Sequence, residues 1–221
     1  MISRYGAGEL YGFDVSALPA ERIRSFAVAK HKDVPCPFKP HEPGKPQPKC
    51  NKKGGVCSLR QYVHDAGVVT AVGNPVTTCP QRFLERKLIF EWVGEILVGS
   101  RTPTVISELP FLMRTVETEE EEADAVGKID KVLVNAEGRT LKWCALEMQA
   151  VYFSGKSMEN DFIQMRTWAG PGLLFPPVQR RPDFRSSGPK RLMPHLQTKV
   201  PRSAAGERRW PSSLTKLSGN L

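Results

Sequence analysis

No stretch of this chain approaches the ~18 uninterrupted apolar residues that mark a membrane-spanning helix, so none is expected. The opening Met1-Ile2-Ser3-Arg4-Tyr5-Gly6 lacks the apolar run of a secretory leader, which points to a cytoplasmic protein. No internal repeat is visible. Cysteine is scarce, 5 in 221 residues, and no two form a C-x-x-C pair. In a reducing compartment such thiols serve more readily as metal ligands than as disulfides.

What is present begins with charge. Lys and Arg number 32 against 23 acids, a net charge of +9. That balance suits a polyanionic partner, because neutralising phosphates releases condensed counterions. A merely basic soluble protein has the same balance, so charge alone does not decide. Hydrophobic residues make up 40% of the chain, enough for a buried core in one medium domain or a domain with a small appendage.

Residues 1–35 mix short apolar groups with an amphipathic stretch around Glu21–Lys30. Residues 36–60 are rich in Pro, Lys and Cys and poor in large apolar groups, so this segment needs a staple to fold. From Arg82 to Val98 the pattern is helical: Leu84, Leu88, Trp92 and Ile96 recur every four residues, beside Ile89, Val93 and Leu97. Gly99 suits a left-handed cap. Val105–Leu112 reads as a strand interrupted by Pro110, and Glu119–Glu122 as a solvated loop. Val126–Val134 and Thr140–Ala150 read as two strands joined by hairpin chemistry, Asn135-Ala136-Glu137-Gly138-Arg139. Lys156–Trp168 reads as a helix. Beyond Gly170, Pro, Gly, Arg and Lys dominate.

Four cysteines, Cys36, Cys50, Cys57 and Cys79, lie close together in the chain. Four thiolates around one ion make a closed tetrahedral site, the form taken by structural zinc or iron. The spacings are long and irregular, so four incidental thiols is the plain alternative, and His31, His41 or His64 could replace a cysteine. Cys144, in an expected strand, reads as a small buried hydrophobe.

The second constellation is Gly127-Lys128-Ile129-Asp130 with Leu146-Glu147-Met148-Gln149. Strand alternation aims Glu147 and Gln149 the same way. If Asn135 pairs with Thr140, Asp130 falls opposite Ala145, diagonal to Glu147 and on its face. A loop longer or shorter by one residue would send Asp130 to the other face. Two converging carboxylates suit Mg²⁺, a hard cation that prefers oxygen ligands. Such an ion polarises a phosphodiester and activates water. Gln149 cannot shuttle protons but can orient a water. A surface hairpin whose acids face solvent is the ordinary alternative.

Asp, a hairpin-length gap, then Glu-x-Gln resembles the active-site strand pair of the PD-(D/E)xK nuclease superfamily, with Gln149 where most members carry Lys. NotI-like type II restriction endonucleases show that replacement. Cys36-Pro37-Phe38, Cys50, Gly55-Val56-Cys57 and Cys79-Pro80 resemble their single-metal site of four cysteines. Glu147-Met148-Gln149-Ala150-Val151-Tyr152-Phe153-Ser154-Gly155 resembles the segment after their catalytic strand, and Leu10-Tyr11-Gly12 is similar to their opening. The likeness covers about residues 5–200.

The resemblance implies an α+β (α/β) fold: a restriction-endonuclease-like mixed sheet flanked by helices, after a small N-terminal region with four cysteines. It divides the chain into residues 1–81 with the metal site, 82–200 as nuclease core and 201–221 as an irregular tail. It implies Mg²⁺-dependent cutting of double-stranded DNA at a specific sequence. Asp130 and Glu147 would hold Mg²⁺, Gln149 would complete the site and Glu108 would add a carboxylate. Cys36, Cys50, Cys57 and Cys79 would hold one zinc or iron ion. Arg180, Arg181, Arg185, Lys190 and Arg191 would contact phosphate. A homodimer is expected, since palindromic sites are read by two-fold symmetric proteins.

The tail from Ser203 to Thr215 has neither helix nor strand period. Back-translated one base earlier it reads as a basic helix end and an apolar strand, so a frameshift near Pro201 is expected to have truncated a longer enzyme. On that expectation the catalytic groups survive, while later strands and part of the base-reading surface are missing, which puts the activity of this chain in question. Two other readings stay open: a non-catalytic, metal-stabilised DNA-binding module, and a repair or recombination nuclease that acts on DNA structure.

Overall fold

A computed structural model of the chain describes residues 1–113, 125–137 and 140–197. The acidic run Glu119–Glu122 and the tail 201–221 lie outside the described residues. The chain divides into two units.

The first unit takes Met1–Arg86 and Gln149–Gly188. Its main sheet has the order β2-β1-β3-β4 and is antiparallel throughout. The strands are β1 (Ile2–Leu10), β2 (Phe13–Asp14), β3 (Val56–Asp65) and β4 (Val68–Thr77). β3 and β4 turn through Ala66 and Gly67, both at positive φ, +47° and +81°. Such a turn matches the twist of the strands it joins. Helix α1 (Ala20–Val28) puts Ile23, Phe26 and Ala27 into the core, on a three-and-four spacing. They join Leu10, Tyr11 and Leu59 there. The unit closes with β8 (Tyr152–Gly155), α3 (Glu159–Thr167), β9 (Arg180–Asp183) and the single-turn α4 (Phe184–Ser187). α1 packs on α3, and β8 pairs with β9.

The second unit takes Lys87–Met148 and the described residues from Pro189 on. The helix expected over Arg82–Val98 is shorter. A 3-10 segment, Pro80–Lys87, breaks where Arg86 and Lys87 take φ of +47° and +59°. α2 then runs Leu88–Val98, and Gly99 caps it at φ +74°, its N–H donating to Gly94 O. α2 buries Phe90, Gly94 and Val98 and turns Leu88, Trp92 and Ile96 outward. Gly94 is on the buried face because a Cβ there would meet Pro103 at 2.6 Å. The sheet is β5 (Thr104–Met113), β6 (Ala125–Asn135) and β7 (Lys142–Leu146). Pro110 is tolerated because β5 is an edge of this sheet, where a missing N–H need break no ladder bond. Leu109, Ile129, Val132 and Val134 make its core.

The α+β class holds, but the single mixed sheet does not. Among the described residues every ladder is antiparallel, in sheets of four, three and two strands. β7 follows β6 after only residues 136–141, whereas a parallel pairing would need a long crossover.

Candidate active site and thiol centre

β6 and β7 pair Asn135 with Lys142 and Lys131 with Leu146. The register is thus two residues on from the expected Asn135–Thr140 pairing. Asn135 explains the longer loop: its Oδ1 accepts from Glu137 N at 2.9 Å, and its Nδ2 donates to Val98 O at 3.0 Å. That starts an Asx turn at the strand end and ties it to α2. A shift of two keeps every side chain on its face. Continued one step, this register sets Asp130 directly opposite Glu147.

β7 ends at Leu146, so Glu147 follows the strand rather than lying in it. The two acids still interlock. Asp130 Oδ2 accepts from Met148 N at 3.0 Å, and Glu147 Oε1 accepts from Asp130 N at 3.4 Å. Each carboxylate is therefore oriented by the other's segment, and both are half-buried.

Glu108 lies between the pairs Ser107–Lys131 and Leu109–Ile129, level with Asp130. Its φ of +53° is strained for a residue with a Cβ, and strain of ~1–3 kcal/mol persists where the surroundings hold it. Its exposed carboxylate goes to Lys128 Nζ at 3.3 Å. Lys128, two residues before Asp130, is a cation to which sequence reasoning gave no role, although it stands beside the acid in the chain. Gln149 begins the return segment of the first unit, and its amide donates to Ala150 O at 2.7 Å. It lines a cleft of about 440 Å³ with Lys52, Thr78 and Tyr152.

The four N-terminal cysteines are buried free thiols that line one small pocket. Their irregular spacing has a structural cause. Cys36 N donates to Pro48 O and Cys50 N to Val34 O, both at 2.8 Å, around a bridge between Pro35 and Lys49. Cys79 N donates to Cys57 O at 3.1 Å, at the end of the β3–β4 hairpin. Two backbone crossings thus gather four distant positions. Among the described residues, none of His31, His41 and His64 lines the pocket. Among the described residues, too, no three His, Cys, Asp or Glu side chains already stand in an arrangement that would hold a metal ion.

Burial pushes the Cys57 thiol up to about 12 and raises that of Cys50. Lys52 is held below the ordinary ammonium value by burial, against the pull of Cys79, Cys57 and Cys50. Its Nζ donates to Thr78 O and, at 3.2 Å, to Thr78 Oγ1. Tyr11 also lines the pocket; its hydroxyl is buried without a hydrogen-bond partner, and burial pushes its pKa to about 12. Cys144, on β7, is half-buried rather than fully buried.

The expected phosphate contacts separate. Arg180 is 1% exposed. Its guanidinium forms a bidentate pair with Asp161 and donates to Lys156 O and Ser157 O at 2.8 Å. It is committed inside the fold, not offered to a phosphate. Burial raises the Asp161 carboxyl, against the Arg180 charge that draws it down. Arg181, Arg185, Lys190 and Arg191 are exposed.

Fold and site together define a mixed α+β protein with a clustered thiol pocket and an interlocked carboxylate pair beside a hairpin. A family model, that of the restriction endonuclease NotI, matches residues 21–215, and the chain belongs to the NotI restriction endonuclease family. No curated protein and no solved structure matches it. Membership supports a restriction endonuclease function, that of a DNA-binding hydrolase. No helix among the described residues is long and apolar enough to cross a membrane.

Proposed function

We propose that this chain is a type II restriction endonuclease, hydrolysing phosphodiester bonds of double-stranded DNA at a specific sequence with Mg²⁺. The observation that carries the reading is the Asp130–Glu147 pair, with each carboxylate fixed by a backbone N–H of the other's segment. Two half-buried, oriented carboxylates fit a hard divalent cation. Asp130 and Glu147 would hold it. When bound, Mg²⁺ would polarise the scissile phosphate and lower the pKa of a water. Gln149, two residues after Glu147, is assigned to orienting the attacking water by hydrogen bonds. Lys128 adds positive charge beside Asp130, and Glu108 is a further carboxylate level with it. Arg181, Arg185, Lys190 and Arg191 would contact phosphates and set the position of the duplex.

The thiol pocket supports a structural metal. Cys36, Cys50, Cys57 and Cys79 fit one zinc or iron ion by donor chemistry and number. The ion would join the two backbone crossings that bring those residues together. The expected assembly is a homodimer reading a palindrome.

The test is digestion of genomic DNA with Mg²⁺ by the purified chain and by its Glu147→Ala variant. Discrete fragments from the parent alone support the assignment. Tight DNA binding without any Mg²⁺-dependent cutting would instead favour the non-catalytic module, for which Asp130 and Glu147 are dispensable. Cutting confined to flaps or cruciforms would favour a structure-directed nuclease.

A further inference from the structure

Two polar side chains, Tyr11 and Lys52, line the thiol pocket beside the four cysteines. Tyr11 is 1% exposed, and its hydroxyl has no hydrogen-bond partner. Leaving a buried hydroxyl unpaired is costly, so its place beside four thiols calls for an acceptor. Neutral thiols are weak acceptors, whereas thiolates on a metal accept well. The ring is locked: Tyr11 N donates to Gly55 O at 2.8 Å, and a Cβ on Gly55, at φ +65°, would meet the ring at 2.3 Å. Gly55 thus lets the ring lie flat against the backbone just before Cys57.

Lys52 is the second group. It lines the same pocket as Cys50, Cys57 and Cys79. Its Nζ also binds Thr78, next to Cys79, so the segment carrying Cys50 is tied to the one carrying Cys79. Four thiolates around a divalent ion carry a net charge of −2, and a buried charge needs compensation. A lysine in that pocket reduces it to −1.

We propose that Lys52 and Tyr11 are positioning residues of a thiolate metal centre, Lys52 as its built-in counter-charge and Tyr11 as an O–H donor to sulfur. The inference rests on the reading of the four cysteines as metal ligands. Groups of this kind are worth about 10–100-fold in metal affinity.

The experiment uses the full chain loaded with Zn²⁺ or Co²⁺ and titrated with a competing chelator, with far-UV circular dichroism as the folding control. Lys52→Gln keeps a donor for Thr78 but loses the charge, and is expected to bind Zn²⁺ about 10–100-fold more weakly. Lys52→Arg is expected to restore most of the loss. Tyr11→Phe keeps the ring and is expected to shift the thiolate-to-Co²⁺ charge-transfer band to lower energy, because an unbonded thiolate gives up its electrons more easily. A Lys52→Gln protein with parental affinity overturns the counter-charge, and an unmoved band in Tyr11→Phe overturns the donor. A parent chain that holds no stoichiometric metal overturns the cysteine reading itself, and this inference with it.

Discussion

Asp130 keeps its orientation through a bond that does not need its charge. Oδ2 accepts from Met148 N, and an amide oxygen can accept the same bond. Asp130→Asn should therefore stay folded, with a stability loss of about 1 kcal/mol or less. Mg²⁺-dependent cleavage should fall to background. Equal cutting by the Asn protein would move the metal role to other acids. The motif was legible because strand alternation and a two-residue shift in register give the same faces. The interlock was not legible, since it needs β7 to end at Leu146 and free the Met148 N–H for Asp130. Nor was the positive φ of Glu108, which no residue type announces when it is not glycine.

Tyr62 gives a pH prediction at the same scale. Its phenol is 2% exposed and donates to Ala7 O at 2.7 Å. Burial, with Asp14 adding, raises its pKa well above the ordinary tyrosine value. The folded chain thus keeps the phenol neutral where the unfolded chain ionises it. This contribution is whole below pH ~10 and shrinks as pH rises further, by up to ~1.4 kcal/mol per unit. Denaturant midpoints from pH 9 to 11 should show a smaller fall for Tyr62→Phe than for the parent, with the variant about 1 kcal/mol weaker at neutral pH. Parallel pH curves for the two proteins would assign the effect elsewhere, for instance to Tyr11.

At the scale of elements, the basic run near the end of the described chain divides by burial. Arg180 and Asp161 tie β9 to α3 with side chains 0% and 2% exposed. Removing one partner strands the other's charge, so Arg180→Ala or Asp161→Ala should cost about 3–5 kcal/mol. Replacing both with apolar residues of similar volume should recover much of that loss. Thermal unfolding of the single and double variants measures it, and a loss below about 1 kcal/mol in the singles would mean that the pair is solvated. Sequence could not separate Arg180 from Arg181, because the difference comes from strand alternation in a four-residue strand that pairs with a distant one.

The same limit governs α2 and the cysteines. Periodicity gave the helix but not its orientation: Leu88, Trp92 and Ile96 form the stripe the pattern displays, yet Phe90, Gly94 and Val98 are the buried residues. The cysteine spacings looked irregular because each pair is bridged across a backbone crossing. The β3–β4 hairpin behind two of them was not legible, since Ala66-Gly67 lacks the usual Asn-Gly or Asp-Gly turn signal.

For the whole molecule the net charge of +9 was the first hint of a polyanionic partner, and the structure narrows which charges can act. With Arg180 enclosed, Arg181, Arg185, Lys190 and Arg191 remain as the exposed members of the basic run. The slope of log K against log salt falls by about 0.9 for every phosphate that the protein no longer neutralises. Replacing these four with Gln should therefore reduce the slope by about 2–4, weaken binding to all duplexes alike and leave thermal stability nearly unchanged. Binding isotherms on a nonspecific duplex at several salt concentrations, without Mg²⁺, isolate this term from cleavage. An unchanged slope would place the phosphate contacts on other basic residues of the chain. A reduced slope with a preserved preference among duplexes would show that this run positions the DNA, while other residues read the bases.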